Sequence, residues 1–273
     1  MKGLLLLLGV VWHSVRPGVW QSEFPMAQSG PLAVVRVTVI RMDPRQVTFQ
    51  LERATRDYGL GAAWTIDSIP DDGVVAFNAG QFLGGIPWGW LVQDGVETKP
   101  PGAGRTAMAF VVDSMGVATL VSPDELPNIR TRAWLGFQSY PALLTGAGLM
   151  PWELLAKGRG VDLQHRDSRL ALGVTADGSV LVALTRFRGA GPVGETLPFG
   201  PTVPEMAAFM RSLGAERAML LDGGISSQLT VRELRGGLRR WANWRAVPLA
   251  LIARPRTAAT MGRAVPSLVN QGR

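Results

Sequence analysis

The sequence predicts a single α+β domain in which a strand-rich mixed sheet core packs against a few helices. Short segments that alternate apolar and polar residues recur along the chain, which is the pattern of half-buried strands. One later segment instead repeats its apolar residues at helical spacing behind an N-terminal capping signal. The length of 273 residues and the hydrophobic content of 47% are enough to fill a sizeable core. These observations argue against a disordered chain. The length suits one large domain or two small ones, and a single domain is predicted.

Most of the chain is predicted to form strands joined by tight turns. Each strand segment either alternates apolar and polar residues or is a short apolar run bounded by turn residues. The segments are 32–40, 46–51, 74–77, 90–96, 106–112, 117–121, 143–146, 169–175, 179–185, 218–221 and 245–253. The first and second are expected to pair as a hairpin, as are the fifth and sixth. The Asp177-Gly178 turn predicts a third hairpin from the eighth and ninth.

One clear helix is predicted, over residues 202–214. Thr202 and Glu205 form a T-x-x-E capping box at its start, and a glycine ends it. Segment 58–69 has a mixed pattern, typical of a short helix or a loop. The tail 255–273 is rich in Pro and polar residues and is expected to be disordered.

The stretch around which the chain is organised is 218–229, AMLLDGGISSQL. Its apolar run has the length of a buried strand and stops at Asp222, followed by two glycines and three hydrogen-bonding side chains. Adjacent glycines allow a ligand to approach the backbone amides closely. Two interpretations stand at this point: a site for a small polar or anionic ligand, or a plain Asp-Gly hairpin turn.

The composition excludes several classes of function. The formal net charge is +7, but the basic residues are scattered singly, so nucleic-acid binding is not expected. The absence of Cys excludes disulfides, thiolate zinc sites and cysteine nucleophiles. The chain has only His13 and His165, which excludes a histidine-rich metal cage, and no cofactor is required. His165 lies beside Arg166 and Asp167 and is interpreted as a surface residue.

The N-terminus has the pattern of an export signal. Lys2 supplies a positive charge, and 3–12 is an apolar stretch too short for a membrane-spanning helix of about 20 residues. Segment 13–21 has no clear cleavage site. Segment 1–21 is therefore expected to be a signal peptide, an uncleaved anchor, or the product of a start codon assigned too early. The domain, 30–254, is expected to lie outside the cytoplasm, in the periplasm, in the medium or held at a membrane by that anchor.

Four motifs occur in the order that is typical of one enzyme family. They are N-A-G-Q-F at 78–82, S-R-L-A-L-G-V-T-A-D-G at 168–178, T-V-P-E-M-A-A-F-M at 202–210 and L-D-G-G-I-S-S at 221–227. On these motifs the sequence resembles the phosphodiester glycosidase family, whose bacterial members are often related to exopolysaccharides. The resemblance extends from the first predicted strands to the last.

Four positions depart from the motifs of that family. The family patterns are N-G-G-F-F, R-T-A-[IV]-G and L-D-G-G-G-S, whereas this chain has Ala79, Gln81, Leu170 and Ile225. Leu170 lacks the hydroxyl of the family's threonine. Ile225 is β-branched at a position where the backbone is expected to need a positive φ. These two changes are expected to reshape or disable the site more than they affect the fold.

The resemblance implies hydrolysis of a sugar-1-phosphodiester to the free sugar and a phosphomonoester. Such a reaction needs a carboxylate for the anomeric carbon and cationic or amide donors for the phosphate. Asp222 is predicted to be the carboxylate and Arg169 the bidentate phosphate clamp, with Arg186 and Arg188 as alternatives. Glu205 is the second catalytic candidate, against a purely structural role in the capping box. Substrate-binding roles are predicted for Asn78, which would orient a sugar hydroxyl or N-acetyl group, and for Gly80, Gly223, Gly224, Ser226 and Ser227.

Two other functions remain open at the level of the sequence. One is a non-catalytic relative that binds a glycan or sugar phosphate in exopolysaccharide assembly. The other is an accessory protein of envelope polysaccharide assembly that acts through a protein partner. A serine hydrolase is disfavoured, because Ser226 and Ser227 have no histidine base except His165.

Overall fold

The computed structural model describes residues 10–27, 30–53, 64–65, 67, 69–156, 161–188, 199–241 and 245–256. These residues form a strand-rich α+β domain, which confirms the predicted fold class. Every strand pairing among them is antiparallel, so the sheets are antiparallel rather than mixed. The predicted disordered tail lies outside the described residues after residue 256, and so does most of segment 58–69.

Nineteen strands and three α-helices are present in these ranges. In chain order the strands are β1 (His13–Arg16), β2 (Val19–Pro25), β3 (Val35–Met42), β4 (Val47–Arg53), β5 (Val75–Asn78), β6 (Phe82–Leu83), β7 (Ile86–Pro87), β8 (Leu91–Gln93), β9 (Val96–Lys99), β10 (Met108–Asp113), β11 (Ala118–Val121), β12 (Ala133–Ser139), β13 (Ala142–Leu144), β14 (Leu170–Thr175), β15 (Val180–Phe187), β16 (Ala215–Leu220), β17 (Leu229–Arg232), β18 (Leu238–Trp241) and β19 (Leu249–Pro255). The helices are α1 (Leu126–Ile129), α2 (Trp152–Leu155) and α3 (Val203–Ser212).

The strands are arranged in three main sheets. Sheet 1 has seven strands in the order β1-β2-β3-β15-β14-β16-β13. Sheet 2 has the order β18-β17-β5-β19-β4, and sheet 3 has the order β11-β10-β12-β8-β9. The short strands β6 and β7 form a separate ribbon. Because β16 belongs to sheet 1 and β17 to sheet 2, the segment that joins them crosses from one sheet to the other.

Among the described residues, the two largest of four hydrophobic clusters lie on the two faces of sheet 1. The larger cluster includes side chains from all three sheets, such as Phe77, Phe110 and Leu172. The second covers the opposite face of sheet 1, where α3 buries Met206 and Met210. The helix begins as predicted, since the Thr202 hydroxyl accepts from the Glu205 amide while the Glu205 carboxylate accepts from the Thr202 amide. Burial on both faces fixes the register of sheet 1, because a slip of one residue would turn each strand's apolar side chains to the wrong cluster.

The N-terminal segment is part of the domain. Strand β2 pairs with β3 from Val19 to Pro25, and β1 pairs with β2. Val19 is fully buried and belongs to the larger cluster. The expectation that 1–21 stands apart from a domain beginning at residue 30 is therefore wrong for residues 13–21. Segment 1–9 lies outside the described residues. No helix in the described part of the chain is long and apolar enough to cross a membrane.

Two predicted hairpins are confirmed and one is wrong. Strands β10 and β11 pair as predicted, and so do β14 and β15 around Gly178, whose φ is +80°. The predicted pairing of segments 32–40 and 46–51 is wrong, because β3 lies in sheet 1 and β4 in sheet 2. Both strands carry the expected alternation, but the turn at Asp43 sends the chain between sheets instead of back along the same one.

Candidate active site

The turn after β16 is built around one glycine. Gly224 has a φ of +54° and opens a 3-10 turn, Gly224–Ser226, that leads towards sheet 2. Gly223 packs so closely on the next segment that a Cβ there would lie 2.7 Å from the carbonyl oxygen of Ser168. The Gly224 amide donates to that same carbonyl at 2.8 Å. The plain hairpin interpretation of Asp222-Gly223 is therefore wrong, since the turn joins two sheets and closes on Ser168.

Asn78, at the end of β5, holds this turn in place through hydrogen bonds to its backbone. Its Nδ2 donates to the carbonyl of Asp222 at 2.8 Å, and its Oδ1 accepts from the amide of Gln228 at 2.8 Å. The side chain is 1% exposed. Because both polar atoms of the amide are used by the backbone and are buried, the predicted sugar contact of Asn78 is corrected to a positioning role.

The other predicted binding residues near Asp222 also mostly shape the turn. Gly80 is buried, and its carbonyl accepts from the Asp222 amide at 3.1 Å. The Ser227 hydroxyl donates to the Gly224 carbonyl at 2.9 Å and is fully buried. Ser226 is 2% exposed, and its hydroxyl bonds the Asp222 carboxylate. These groups are brought together as predicted, but through each other, so the predicted substrate contacts of Gly80 and Ser227 are corrected to structural roles.

The Asp222 side chain occupies an environment that disfavours its charge. Burial raises the pKa of Asp222, against the hydrogen bond from Ser226 and the positive charge of Arg245. The nearby Asp167 carboxylate raises the pKa of Asp222 further. Asp222 therefore combines partial burial with a second acid, which is the environment of many catalytic carboxylates.

Asp167 is this second acid, and the sequence analysis did not identify it. Burial raises its pKa, against the charges of Arg169 and His165 and a bond from the Ser168 amide. Its Oδ1 is buried and has no hydrogen-bond partner among the described residues, whereas the side chain as a whole is 23% exposed. A Cβ on Gly224 would lie 3.0 Å from its Oδ2. The Asp167 carboxylate thus lies against the glycine turn that begins at Asp222.

His165 lies on the outer side of Asp167. Its Nε2 is 3.8 Å from Asp167 Oδ2, and its side chain is 63% exposed. The interpretation of His165 as a surface residue agrees with this exposure, although the residue contacts the site through Asp167.

Arg169 and Glu205, the two other predicted catalytic residues, form hydrogen bonds with groups outside the glycine turn. Arg169 donates from Nε to the Pro201 carbonyl at 3.2 Å and from Nη2 to the His165 carbonyl at 2.7 Å. Glu205 accepts two bonds of 2.8 Å from Arg166, in addition to its capping bond. Burial raises the pKa of Glu205, but the bonds from Arg166 and Thr202 outweigh it and leave that pKa lowered. Glu205 thus has the structural role that the sequence left open, and its carboxylate is not directed at the glycine turn.

The four departures from the family motifs fit the fold without strain. Leu170 is fully buried in the larger hydrophobic cluster. Ile225 is 44% exposed and does not have a positive φ, which falls on Gly224 instead. Ala79 is buried in the larger cluster, and Gln81 donates to the Tyr140 carbonyl at 3.1 Å. The structure thus accommodates Leu170 in the core and Ile225 at the surface, with the positive φ of the turn at Gly224.

The described residues offer no group of three or more His, Asp or Glu side chains that is arranged to hold a metal ion. Asp222 and Asp167 remain the two acids of the site, with Arg169 and Arg245 as the cations that act on them.

The sequence profile of the phosphodiester glycosidase family matches residues 67–269, about three quarters of the chain. The chain belongs to this family. The matched region includes β5, the Asp167–Arg169 segment and the glycine turn, so the glycosidase family profile covers the whole candidate site. The members of this family are described as phosphodiester glycosidases. No curated protein matches the sequence.

Three solved structures are similar to this glycosidase domain. The zebrafish N-acetylglucosamine-1-phosphodiester alpha-N-acetylglucosaminidase catalytic domain, auto-inhibited by its pro-peptide, has a TM-score of 0.64 at 18% identity, over 89% of this chain and 86% of that one. A hypothetical protein from Synechocystis has a TM-score of 0.59 at 17% identity, and the match covers 91% of this chain and 64% of that protein. A protein from Burkholderia pseudomallei described as exported has a TM-score of 0.51 at 16% identity, and the match covers 81% of this chain and 74% of that protein. At these identities the likeness shows the shared fold.

Proposed function

We propose that this protein hydrolyses sugar-1-phosphodiesters, releasing the free sugar and a phosphomonoester. The observation that carries the proposal is the pair of desolvated carboxylates, Asp222 and Asp167, on the two sides of the glycine turn. Glycoside cleavage uses two carboxyl groups with different tasks. When two such groups share a partly buried site, their pKa values move apart, so that one is protonated while the other is ionised. Family membership supplies the bond type, because phosphodiester glycosides are what the family name specifies.

The surroundings of the two carboxylates differ enough to suggest a division of work. Asp222 accepts a bond from Ser226 and faces Arg245, which both favour its ionised form. It is assigned to stabilise the positive charge that develops at the anomeric carbon. Asp167 has an oxygen without a hydrogen-bond partner among the described residues and is assigned to receive a proton from water.

The proposed step is balanced in atoms and electrons. The oxygen of water forms a bond to the anomeric carbon, and the bond from that carbon to the phosphate oxygen breaks, with its electron pair leaving on the phosphate. The proton of the water passes to Asp167. A phosphomonoester is a good leaving group, so the phosphate needs positive donors more than a strong acid. The Gly223 amide, which bonds no other described residue, is available as one such donor.

The proposed location is outside the cytoplasm, in glycan or exopolysaccharide metabolism of the envelope. The support is that one structural neighbour is described as exported. Against the non-catalytic binding alternative, Ile225 does not have to adopt a positive φ, because the positive φ of the turn falls on Gly224.

The test is hydrolysis of a panel of sugar-1-phosphodiesters, including UDP-N-acetylglucosamine, by the full chain and by Asp222→Asn. We expect turnover by the wild type and a loss of at least about 10³-fold in kcat for the variant. Asp94→Asn is the matched control, since Asp94 is an exposed turn acid whose φ of +53° suits Asn. NMR of the released sugar separates direct attack by water, which inverts the anomer, from attack by Asp222. Folded wild type without turnover on any substrate would reject the proposal.

A further inference from the structure

Arg245 holds a guanidinium group in the open beside the carboxylate site. The residue is exposed, and its Cζ lies 4.9 Å from the centre of the Phe82 ring. Phe82 belongs to the N-A-G-Q-F segment that follows β5. Stacking over an aromatic face fixes the plane of a guanidinium while leaving its N–H edges free to bind. Within the described parts of the chain, these N–H groups donate no hydrogen bond.

The backbone of Arg245 is tied to the glycine turn. Its amide donates to the Ile225 carbonyl at 3.1 Å, and its carbonyl accepts from Nε2 of Gln228 at 2.6 Å. Gln228 is itself fixed by Asn78. The Arg245 side chain therefore starts from a position that is set by the same turn that positions Asp222, and its charge acts on Asp222.

Arg169, the arginine that the motif suggested as phosphate clamp, is less available. Two of its donor nitrogens are used by the carbonyls of Pro201 and His165, and its charge acts on Asp167. A phosphate group bound bidentately needs two adjacent donors on one edge of the guanidinium. Among the described contacts, both edges of the Arg245 guanidinium are available for such binding, whereas Arg169 already donates from Nε and Nη2 to the backbone and keeps only its Nη1–Nη2 edge.

We propose that Arg245, held over Phe82, binds the phosphate group of the substrate and that Arg169 instead holds Asp167 in place. The assignment rests on the proposed function and names the recognition element for the phosphate side of the scissile bond. A phosphodiester is negatively charged and would be repelled by Asp222 and Asp167 unless a cation met it first. The arrangement therefore selects sugars that carry a phosphate over neutral glycosides of the same sugar.

The kinetic test compares two substrates that share one sugar, a sugar-1-phosphodiester and a neutral aryl glycoside. For Arg245→Gln we expect kcat/KM for the phosphodiester to fall about 10²–10³-fold, and kcat/KM for the neutral glycoside, which Arg245 affects only through the charge of Asp222, to fall at least about tenfold less. Phe82→Leu keeps the charge of Arg245 but removes the ring beneath it, so we expect kcat/KM for the phosphodiester to fall about three- to tenfold. Arg132→Gln, at an exposed arginine far from the turn in sequence, is the matched control. Equal losses on both substrates, or no loss, would overturn the assignment.

A binding measurement keeps this assignment separate from the proposed function. Inorganic phosphate is titrated by calorimetry into the full-length wild type, Arg245→Gln and Arg169→Gln. We expect Arg245→Gln to weaken phosphate binding at least tenfold and Arg169→Gln to leave it within about threefold. If the wild type hydrolyses nothing, the proposed function fails while this titration still decides the role of Arg245. Equal phosphate binding by wild type and Arg245→Gln, or no binding by either, contradicts the role.

Discussion

Arg166 and Asp167 are neighbours in sequence, yet they take part in two carboxylate environments of opposite kind. One is the environment of Glu205, which pairs with Arg166, and the other is that of Asp167 itself. Arg166 pairs with Glu205 through two bonds of 2.8 Å, and the partners lower the pKa of that acid. Asp167 turns to the other side, where burial raises its pKa and one oxygen lacks a partner among the described residues. The comparison teaches that an acid with a structural role has its charge compensated by the fold. Asp167, to which we assign a catalytic role, is left partly uncompensated, at a cost in stability.

The strongest way to break the comparison is to neutralise each acid in turn. Asp167→Asn is expected to lower kcat on a sugar-1-phosphodiester by about 10²–10⁴-fold, the usual contribution of a general acid or base. The variant should fold at least as well as the wild type, because a poorly compensated buried charge has been removed. Activity assays with thermal unfolding measure both effects. A fully active Asp167→Asn would leave Asp222 as the sole catalytic acid of the described turn.

Filling the turn against Asp167 is expected to have the next largest effect. Gly224→Ala would place a methyl group 3.0 Å from Asp167 Oδ2 at a φ of +54°. Gly178→Ala is the matched control, with a φ of +80° and no atom within 4 Å of the added methyl. The control should lose about 1–2 kcal/mol of unfolding free energy from its backbone alone. Gly224→Ala should lose about 1 kcal/mol more and also lose activity, as shown by denaturant unfolding and turnover. Equal losses in the two variants would mean that Asp167 does not pack on the turn.

Glu205→Gln sharpens the comparison from the structural side. Glutamine preserves the capping box but removes the charge that Arg166 pairs with. Because both side chains are about one third exposed, solvent weakens the pair, and a loss of about 1 kcal/mol in unfolding free energy is expected. The kcat of the folded protein should stay within about threefold of the wild type. A hundredfold loss of kcat without a stability change would restore Glu205 to the catalytic residues.

The smallest expected effect is the opposite pH dependence of the two environments. The folded-state pKa of Asp167 is raised above 3.8, so the protein loses stability as pH rises from about 3.8 through that folded pKa and is level above it. The folded-state pKa of Glu205 is lowered below 4.5, so its contribution is complete above 4.5 and is lost as pH falls through the folded pKa. Denaturant unfolding between pH 3 and 8 should show that Asp167→Asn weakens the first trend, to which Asp222 also contributes, and that Glu205→Gln weakens the second. The same trend in both variants would contradict the assigned shifts.

The local elements were predictable because their signals lie within a few residues. The α3 capping box needs only Thr202 and Glu205, and the β14–β15 hairpin needs only its Asp-Gly turn between two apolar runs. Sheet membership was not predictable in the same way. Strands β3 and β4 carry the pattern of a hairpin, but which sheet each joins depends on strands far along the chain, such as β15 and β19.

The site residues show the same limit. Asp222 stood out because a buried strand ends at an acid and two glycines. Asp167 did not, because its role depends on Gly224, which is 57 positions away in the chain. The role of the Asn78 amide is hard to predict for the same reason, since its two bonds reach residues 144 and 150 positions away. The one usable signal for Asp167 was its place two residues before the motif arginine, Arg169.

The two glycines of the turn also limit how this site can diverge in evolution. A Cβ at Gly223 would lie 2.7 Å from the Ser168 carbonyl oxygen, and one at Gly224 would crowd the Asp167 carboxylate at a positive φ, so a substitution at either position is costly. Ile225 lies between these residues and Ser226 and is 44% exposed. Substitutions that change substrate preference should therefore occur at Ile225 and at other exposed side chains around the turn, while Gly223 and Gly224 stay unchanged.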